Sequence, residues 1–195
     1  MFAIGNRVYV SAKGTCKNGF SLLKKTDIYH KRHGTPPQLR IVYRLKHRPH
    51  KRAEEFLANE LSRVIKEELD ALKIIDLENE AVITSVPRSI KSRRRYGIDQ
   101  SERVSSALSS NMGIPYVKAV KRASLLSKEQ KRLTKQGRFK SVRGQFVMID
   151  GESVEGKCVF LYDDVSTTGA SMTACAELLR KAGAKAIVCL CIAQD

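Results

Sequence analysis

A chain of 195 residues with 42% hydrophobic content is long enough to bury a full core and too apolar to stay disordered. Its 36 Lys and Arg against 20 Asp and Glu give a net charge of +16, and the bases are crowded: residues 31–52, 88–95 and 118–143 hold 23 of the 36 bases and 1 of the 20 acids. Charge gathered in this way suits a polyanionic ligand, while no apolar run reaches membrane-spanning length and MFAIGNRVYV lacks the layout of a signal peptide, so the expected setting is cytoplasmic.

In chain order, Arg7–Ser11 alternates enough for a strand, and turn signals follow at Lys13-Gly14 and Asn18-Gly19. Residues 1–38 read as a small β-containing N-terminal lobe, and Gly34-Thr35-Pro36-Pro37 breaks whatever precedes it. Leu39–Leu45 suits a strand or a short helix. From Lys51 to Lys73, Phe56, Leu57, Leu61, Val64, Ile65, Leu69 and Leu72 recur at helical spacing. Ala81–Val86 is a strand ended by Pro87, and the basic loop Arg88–Arg95 follows. Gln100–Asn111 reads as a helix stopped by Gly113, and Pro115–Val120 as a strand. Leu125–Arg143 is long, basic and without period, as lids and binding loops are. Gln145–Ile149 and Lys157–Tyr162 are strands, Met172–Ala182 a helix, and Ala186–Ala193 a last strand. This alternation predicts an α/β fold, a doubly wound, mostly parallel sheet spanning residues 39–195. Cys158, Cys175, Cys189 and Cys191 fall in these elements without Cys-x-x-Cys spacing, which predicts buried free thiols.

The stretch Val159–Ser171, VFLYDDVSTTGAS, carries the chemistry. A buried strand would end at two carboxylates, Asp163 and Asp164, at the edge where open α/β sheets bind ligands. The loop Val165, Ser166, Thr167, Thr168, Gly169, Ala170, Ser171 would then offer backbone N–H groups, hydroxyls and a helix N-terminus to an anion. Paired carboxylates can hold vicinal hydroxyls, or a Mg²⁺ ion attached to them, so the pattern describes a sugar phosphate site. Taken singly, adjacent Asp residues or a Thr-Thr-Gly loop would be an ordinary polar turn and N-cap. Combined in this order they resemble the thirteen-residue phosphoribosyl pyrophosphate (PRPP) signature of type I phosphoribosyltransferases.

Three further segments narrow the resemblance. LRIVYRLKHRPHKRAEEFLANEL (39–61), with Lys46 at a basic position, SVPRSIKSRRRYGIDQ (85–100) and EQKRLTKQGRFKSVRGQF (129–146) are similar to the ComF-type (competence protein F) phosphoribosyltransferase-like proteins. The resemblance implies that Asp163 and Asp164 hold the ribose hydroxyls, with Mg²⁺ attached through them, and that the 165–171 loop holds the 5′-phosphate. It places Val86, Pro87, Arg88, Ser89 and Arg94, with Lys131, Arg132 and Arg138 from the later basic loop, on the diphosphate. The implied reaction is Mg²⁺-dependent transfer of 5-phosphoribosyl from PRPP to an unidentified acceptor, with release of diphosphate. The implied alternative is a non-enzymatic PRPP sensor, or a protein that binds single-stranded DNA or a partner during competence-type DNA uptake. The basic segments allow weak, sequence-independent nucleic-acid binding, although few aromatic rings are interleaved with them. A homodimer is left open.

Departures from the pattern are specific. Tyr96, Ile98 and Asp99 replace the usual arginine, phenylalanine and asparagine around Gly97, while Gly97 and Gln100 match, and Ser141 stands where asparagine is common. Thr167 stands where many purine-salvage members carry an aspartate, which points away from a standard purine acceptor. The family's four-cysteine zinc ribbon has no counterpart here. Cys16 with His30 and His33 lacks paired-ligand spacing, so folding without zinc is expected. His30, His33, His47 and His50 are expected at the surface or on phosphate.

Overall fold

The computed structural model of the chain describes residues 9–10, 20–23, 45, 50–72, 80–88, 97, 99–123, 144–166 and 168–194. In order, its elements are β1 (Tyr9–Val10), β2 (Phe20–Leu23), α1 (Lys51–Leu72), β3 (Ala81–Ser85), α2 (Gln100–Met112), β4 (Val120–Arg122) and β5 (Phe146–Met148). A 3-10 turn (Glu152–Val154), β6 (Cys158–Ser166), α3 (Ala170–Lys181) and β7 (Ala186–Gln194) complete it.

The apolar run of β6 makes it the centre of the main sheet, because a strand paired on both sides and covered on both faces must be apolar on both. Parallel β3 lies on one side, from Ala81↔Cys158 to Ser85↔Tyr162, and parallel β7 on the other, from Cys158↔Ala186 to Ser166↔Gln194. The far edge of β7 takes β2 in parallel and β1 antiparallel. Residues alternate strictly between the faces. Cys158, Phe160 and Tyr162 pack with Leu57, Leu61 and Ile65 of α1 and Val104 and Leu108 of α2. Val159 and Leu161 pack with Met172, Cys175 and Leu179 of α3 and with Val120 and Phe146. Helices therefore cover both faces, as the alternation of elements predicted.

Two strand boundaries and one burial differ from the sequence reading. The stretch expected as a strand over Pro115–Val120 touches the main sheet only at Tyr116, bridged to Ile83 through Ile83 N–H to Pro115 O and Val117 N–H to Ile83 O. It then turns away, and Val120–Arg122 pairs instead with β5 as a separate antiparallel ribbon, Val120↔Met148 to Arg122↔Phe146. β6 continues four residues past Tyr162, since β7 supplies partners out to Gln194. Phe56, expected on the inner face of α1, is 52% exposed, while Leu57, Ala58 and Leu61 on the neighbouring positions take the core side. The expectations for Leu125–Arg143 lie outside the described residues. The four described cysteines are buried free thiols, as expected.

The connections set the position of the ligand crevice. From β3 the chain runs through α2 to Tyr116 on the outer side of β3; from β6 it runs through α3 to β7 in the opposite direction. The sheet reverses its winding between β3 and β6, and such a switch point opens a crevice at the strands' carboxyl ends. Those ends carry Val86–Arg88 and Asp163–Ser166.

Helices α1 and α2 are clamped by an ion pair. Glu54, 5% exposed, accepts from Arg103 Nε at 2.7 Å and Nη2 at 2.8 Å. The hydrogen bond to Glu54 raises the Arg103 pKa from its ordinary value. Removing the arginine strands a buried carboxylate, so Arg103→Ala should cost about 1.5–3 kcal/mol in urea unfolding. Lys118→Ala, which breaks the half-exposed pair with Glu102, should cost less than about 1 kcal/mol in the same measurement.

Candidate functional site

Sequence order alone cannot say how the two halves of the crevice meet; hydrogen bonds at the switch point do. The Val86 N–H donates to Tyr162 O at 2.9 Å, so the turn after β3 stays stitched to β6 for one residue beyond the last paired strand residue. Asp99 then fixes the turn from the other side. In extended conformation as the N-cap of α2, it accepts the Glu102 N–H at 3.4 Å on one oxygen and the Arg88 N–H at 3.1 Å on the other. An aspartate three residues before a glutamate at a helix start is a capping signal. That signal could have assigned Asp99 this task.

On β6, Asp163 and Asp164 stand where burial stops; both are half-buried, after five fully buried residues. Each carboxylate accepts the next residue's backbone N–H, Asp164 N to Asp163 Oδ1 at 2.9 Å and Val165 N to Asp164 Oδ1 at 2.8 Å. The Asp163 charge reaches Arg122 and Cys175 on the α3 side of the sheet. On Tyr162, packed toward α1 and α2, Asp164 acts more strongly than Asp163. Successive strand residues point to opposite faces, so the pair straddles the strand's end.

The loop between β6 and α3 is shorter than the 165–171 span of the sequence reading. Val165 and Ser166 belong to β6, paired with Ala193 and Gln194, and Ala170 and Ser171 already form the first turn of α3. Thr168 and Gly169 bridge the two, with Thr167 outside the described residues. Gly169 sits at φ +68°, a left-handed conformation that suits glycine, and no side chain caps the helix it opens. Thr168 Oγ1 accepts the Ala170 N–H at a long 3.4 Å. Asp163, Val165, Ser166, Thr168, Gly169, Ala170, Ser171 and Met172 line one open concavity. A carboxylate, hydroxyls and a helix N-terminus thus line one concavity. Of the residues expected on a diphosphate, Val86, Pro87 and Arg88 stand at the adjoining end of β3. Ser89, Arg94, Lys131, Arg132 and Arg138 lie outside the described residues.

Arg122 is the residue that sequence reasoning missed. Its Nε donates to Pro87 O at 3.1 Å, its Nη1 to Gln145 Oε1 at 2.6 Å, and its guanidinium carbon lies 4.6 Å from the Phe146 ring centroid. Burial lowers its pKa, with Cys175, Asp163 and Asp99 acting against that shift; a guanidinium remains charged at neutral pH regardless. Cys175 beside it is pushed well up by burial and by Asp163, which keeps the thiol neutral and unreactive.

At the base of the crevice the Ser85 and Tyr116 hydroxyls are 3.0 Å apart. Burial pushes the Tyr116 phenol up to about 12, against the opposing pull of the Ser85 hydrogen bond. Its folded pKa lies above the unfolded value, so the stability it confers is complete below about pH 10 and is lost as pH rises through 12. Ultraviolet titration of the folded protein should show a phenol midpoint near 12 that is missing from Tyr116→Phe.

No curated protein sequence matches the chain. Among solved structures it is similar to an allosteric regulatory enzyme of purine biosynthesis, at 21% identity over 71% of this chain and 26% of that one, with a TM-score of 0.47. It is also similar to the B. subtilis glutamine phosphoribosylpyrophosphate amidotransferase (19% identity, 71% and 25% coverage, TM-score 0.46). A third is adenine phosphoribosyltransferase from Saccharomyces cerevisiae (18% identity, 71% and 68% coverage, TM-score 0.40). The chain spans about a quarter of the length of the first two. The phosphoribosyl transferase domain family matches residues 55–195, a span that contains β3, β6, α3 and every described residue of the crevice, and the chain belongs to that family.

Proposed function

We propose that this protein binds PRPP at the carboxyl end of β6 and transfers its 5-phosphoribosyl group to an acceptor, with release of diphosphate. The observation that carries the reading is half-buried Asp163 lining one concavity with Ser166 and Thr168–Ser171 at the β3/β6 switch point, with half-buried Asp164 next to it on β6. Family membership supports the same reaction class.

The residues divide the ligand among them. The backbone N–H groups at the start of α3, with Ser166, Thr168 and Ser171, suit the 5′-phosphate, helped by the helix dipole. Asp163 and Asp164 suit the two ribose hydroxyls as charge-assisted acceptors. The Val86–Arg88 turn, held by Asp99 and Tyr162, suits the diphosphate, and Ser89, Arg94, Lys131, Arg132 and Arg138 are assigned to it from the sequence. As the glycosidic bond breaks, the sugar gains positive charge and the diphosphate negative charge; fixed carboxylates on one side and bases on the other stabilise both.

Mg²⁺ fits this donor set. Among the described residues no group of three or more His, Cys, Asp or Glu could cage a metal. Two carboxylates with hard oxygens at an open site match the way Mg²⁺ is held, by one or two carboxylates together with substrate oxygens. When bound, the ion would neutralise diphosphate charge. Asp163 and Asp164 would hold it through the ribose hydroxyls.

The finer placement rests on the motifs at 39–61, 85–100 and 129–146. On their resemblance we place the protein in the ComF-type group; residues 1–38 are assigned as an N-terminal lobe without a zinc ribbon, the protein is expected to fold without zinc, and composition points to a cytoplasmic setting. Among the described residues no helix is long and apolar enough to cross a membrane.

Calorimetry with PRPP and Mg²⁺ tests the site. Asp163→Asn with Asp164→Asn should weaken binding by several kcal/mol, since each lost hydrogen bond to a charged group is worth about 1.5–3 kcal/mol. Equal affinity in wild type and the double variant would end the reading. Isotope exchange between diphosphate and PRPP across a panel of bases then identifies the acceptor; tight binding with no exchange on any base would make the protein a PRPP sensor instead.

A further inference from the structure

Arg122 closes β4, in a ribbon that forms a sheet separate from the one that carries the crevice. Its side chain nonetheless reaches across to the turn after β3. Two donors of one planar group are engaged by acceptors from different segments, the Pro87 carbonyl and the Gln145 side chain, while the Phe146 ring lies against the group. Such a fork leaves the guanidinium one orientation, and a lysine ammonium could not reproduce it. Half-burying a charge costs free energy, so a residue that does no more than decorate the surface would not be held in this way. Val86 is stitched to β6 and Arg88 to Asp99, and Pro87 between them has no N–H of its own to anchor. The Arg122 bond secures the middle of that turn.

We infer that Arg122 is a positioning residue that fixes the Val86–Arg88 turn relative to Asp163, so that the diphosphate and the ribose of one ligand are met together. The inference rests on the PRPP reading proposed above. It assigns the guanidinium no contact with the ligand; its effect passes through the Pro87 carbonyl. Gln145 is the second anchor, holding the fork from the β5 side.

Calorimetry with three probes, each with Mg²⁺, tests it: PRPP, inorganic diphosphate and ribose 5-phosphate, on wild type, Arg122→Lys, Arg122→Gln and Gln145→Ala. Both Arg122 variants should lose about tenfold or more in affinity for PRPP and diphosphate, because small misplacements of a binding group are costly. Their affinity for ribose 5-phosphate should stay within about twofold, as the groups assigned to it do not depend on the fork. If lysine restores diphosphate affinity, charge alone matters and the positioning role is overturned; so too if all three probes weaken equally, which marks a general structural defect. Gln145→Ala, at an exposed residue, should weaken diphosphate binding about threefold, and it decides the matter should the Arg122 variants fail to fold; no change there overturns the inference. A wild type that binds neither PRPP nor diphosphate overturns the PRPP reading and this inference with it, whereas PRPP binding with indifferent Arg122 variants overturns the inference alone.

Discussion

Parallel pairing on both sides of β6 is the constraint from which the crevice follows. For five residues, Cys158–Tyr162, the strand is hydrogen-bonded left and right and buried above and below. A strand in that setting cannot carry charge. Where β3 stops, at Ser85↔Tyr162, one flank and much of the cover end together, and the next two residues are the carboxylates. β7 continues alongside to Ser166, so Asp163 and Asp164 are held on a paired backbone instead of a free loop. Groups that must meet a small ligand accurately benefit from that rigidity.

The charges around this point are ordered by depth. Burial keeps the Cys175 thiol neutral beside Arg122, and among the described residues the carboxylates of Asp163 and Asp99 act on the arginine. On the opposite side Tyr162 and Tyr116 are both held neutral by burial, with Asp164 and Asp163 reinforcing the shift on Tyr162 and Glu102 and Asp99 that on Tyr116.

What the sequence revealed, and what it hid, divides along the line between local and distant causes. The apolar run of β6, the helical spacing from Lys51, the Gly113 stop and the loop opening α3 were legible because each depends on residues within a turn or two. The left-handed Gly113 that ends α2 is an example. The extension of β6 through Asp163–Ser166 was not legible, since polar residues read as loop until β7 is known to run beside them. Nor was the β4–β5 ribbon, because nothing in Val120–Arg122 says that its partner lies beyond residue 143. Arg122 stayed hidden for the same reason: its acceptors are 35 and 23 residues away. Phe56 shows a third limit, for a broad apolar stripe on a helix does not say which of its edges stays wet.

The pairing of β1 and β2 with β7 has a consequence for solubility. β7 reads AIVCLCIAQ, an apolar, uncharged strand, and its edge away from β6 is taken by β1 and β2. Tyr9 and Val10 cover it at Val188 and Ile187, and Phe20, Ser21 and Leu23 at Leu190, Cys191 and Ala193. Stripped of that cover, it would present unpaired N–H and C=O groups along a segment of the kind that templates strand addition between molecules. Among the described residues, β1 and β2 thus cover an edge that could otherwise recruit another copy of the chain into a fibre.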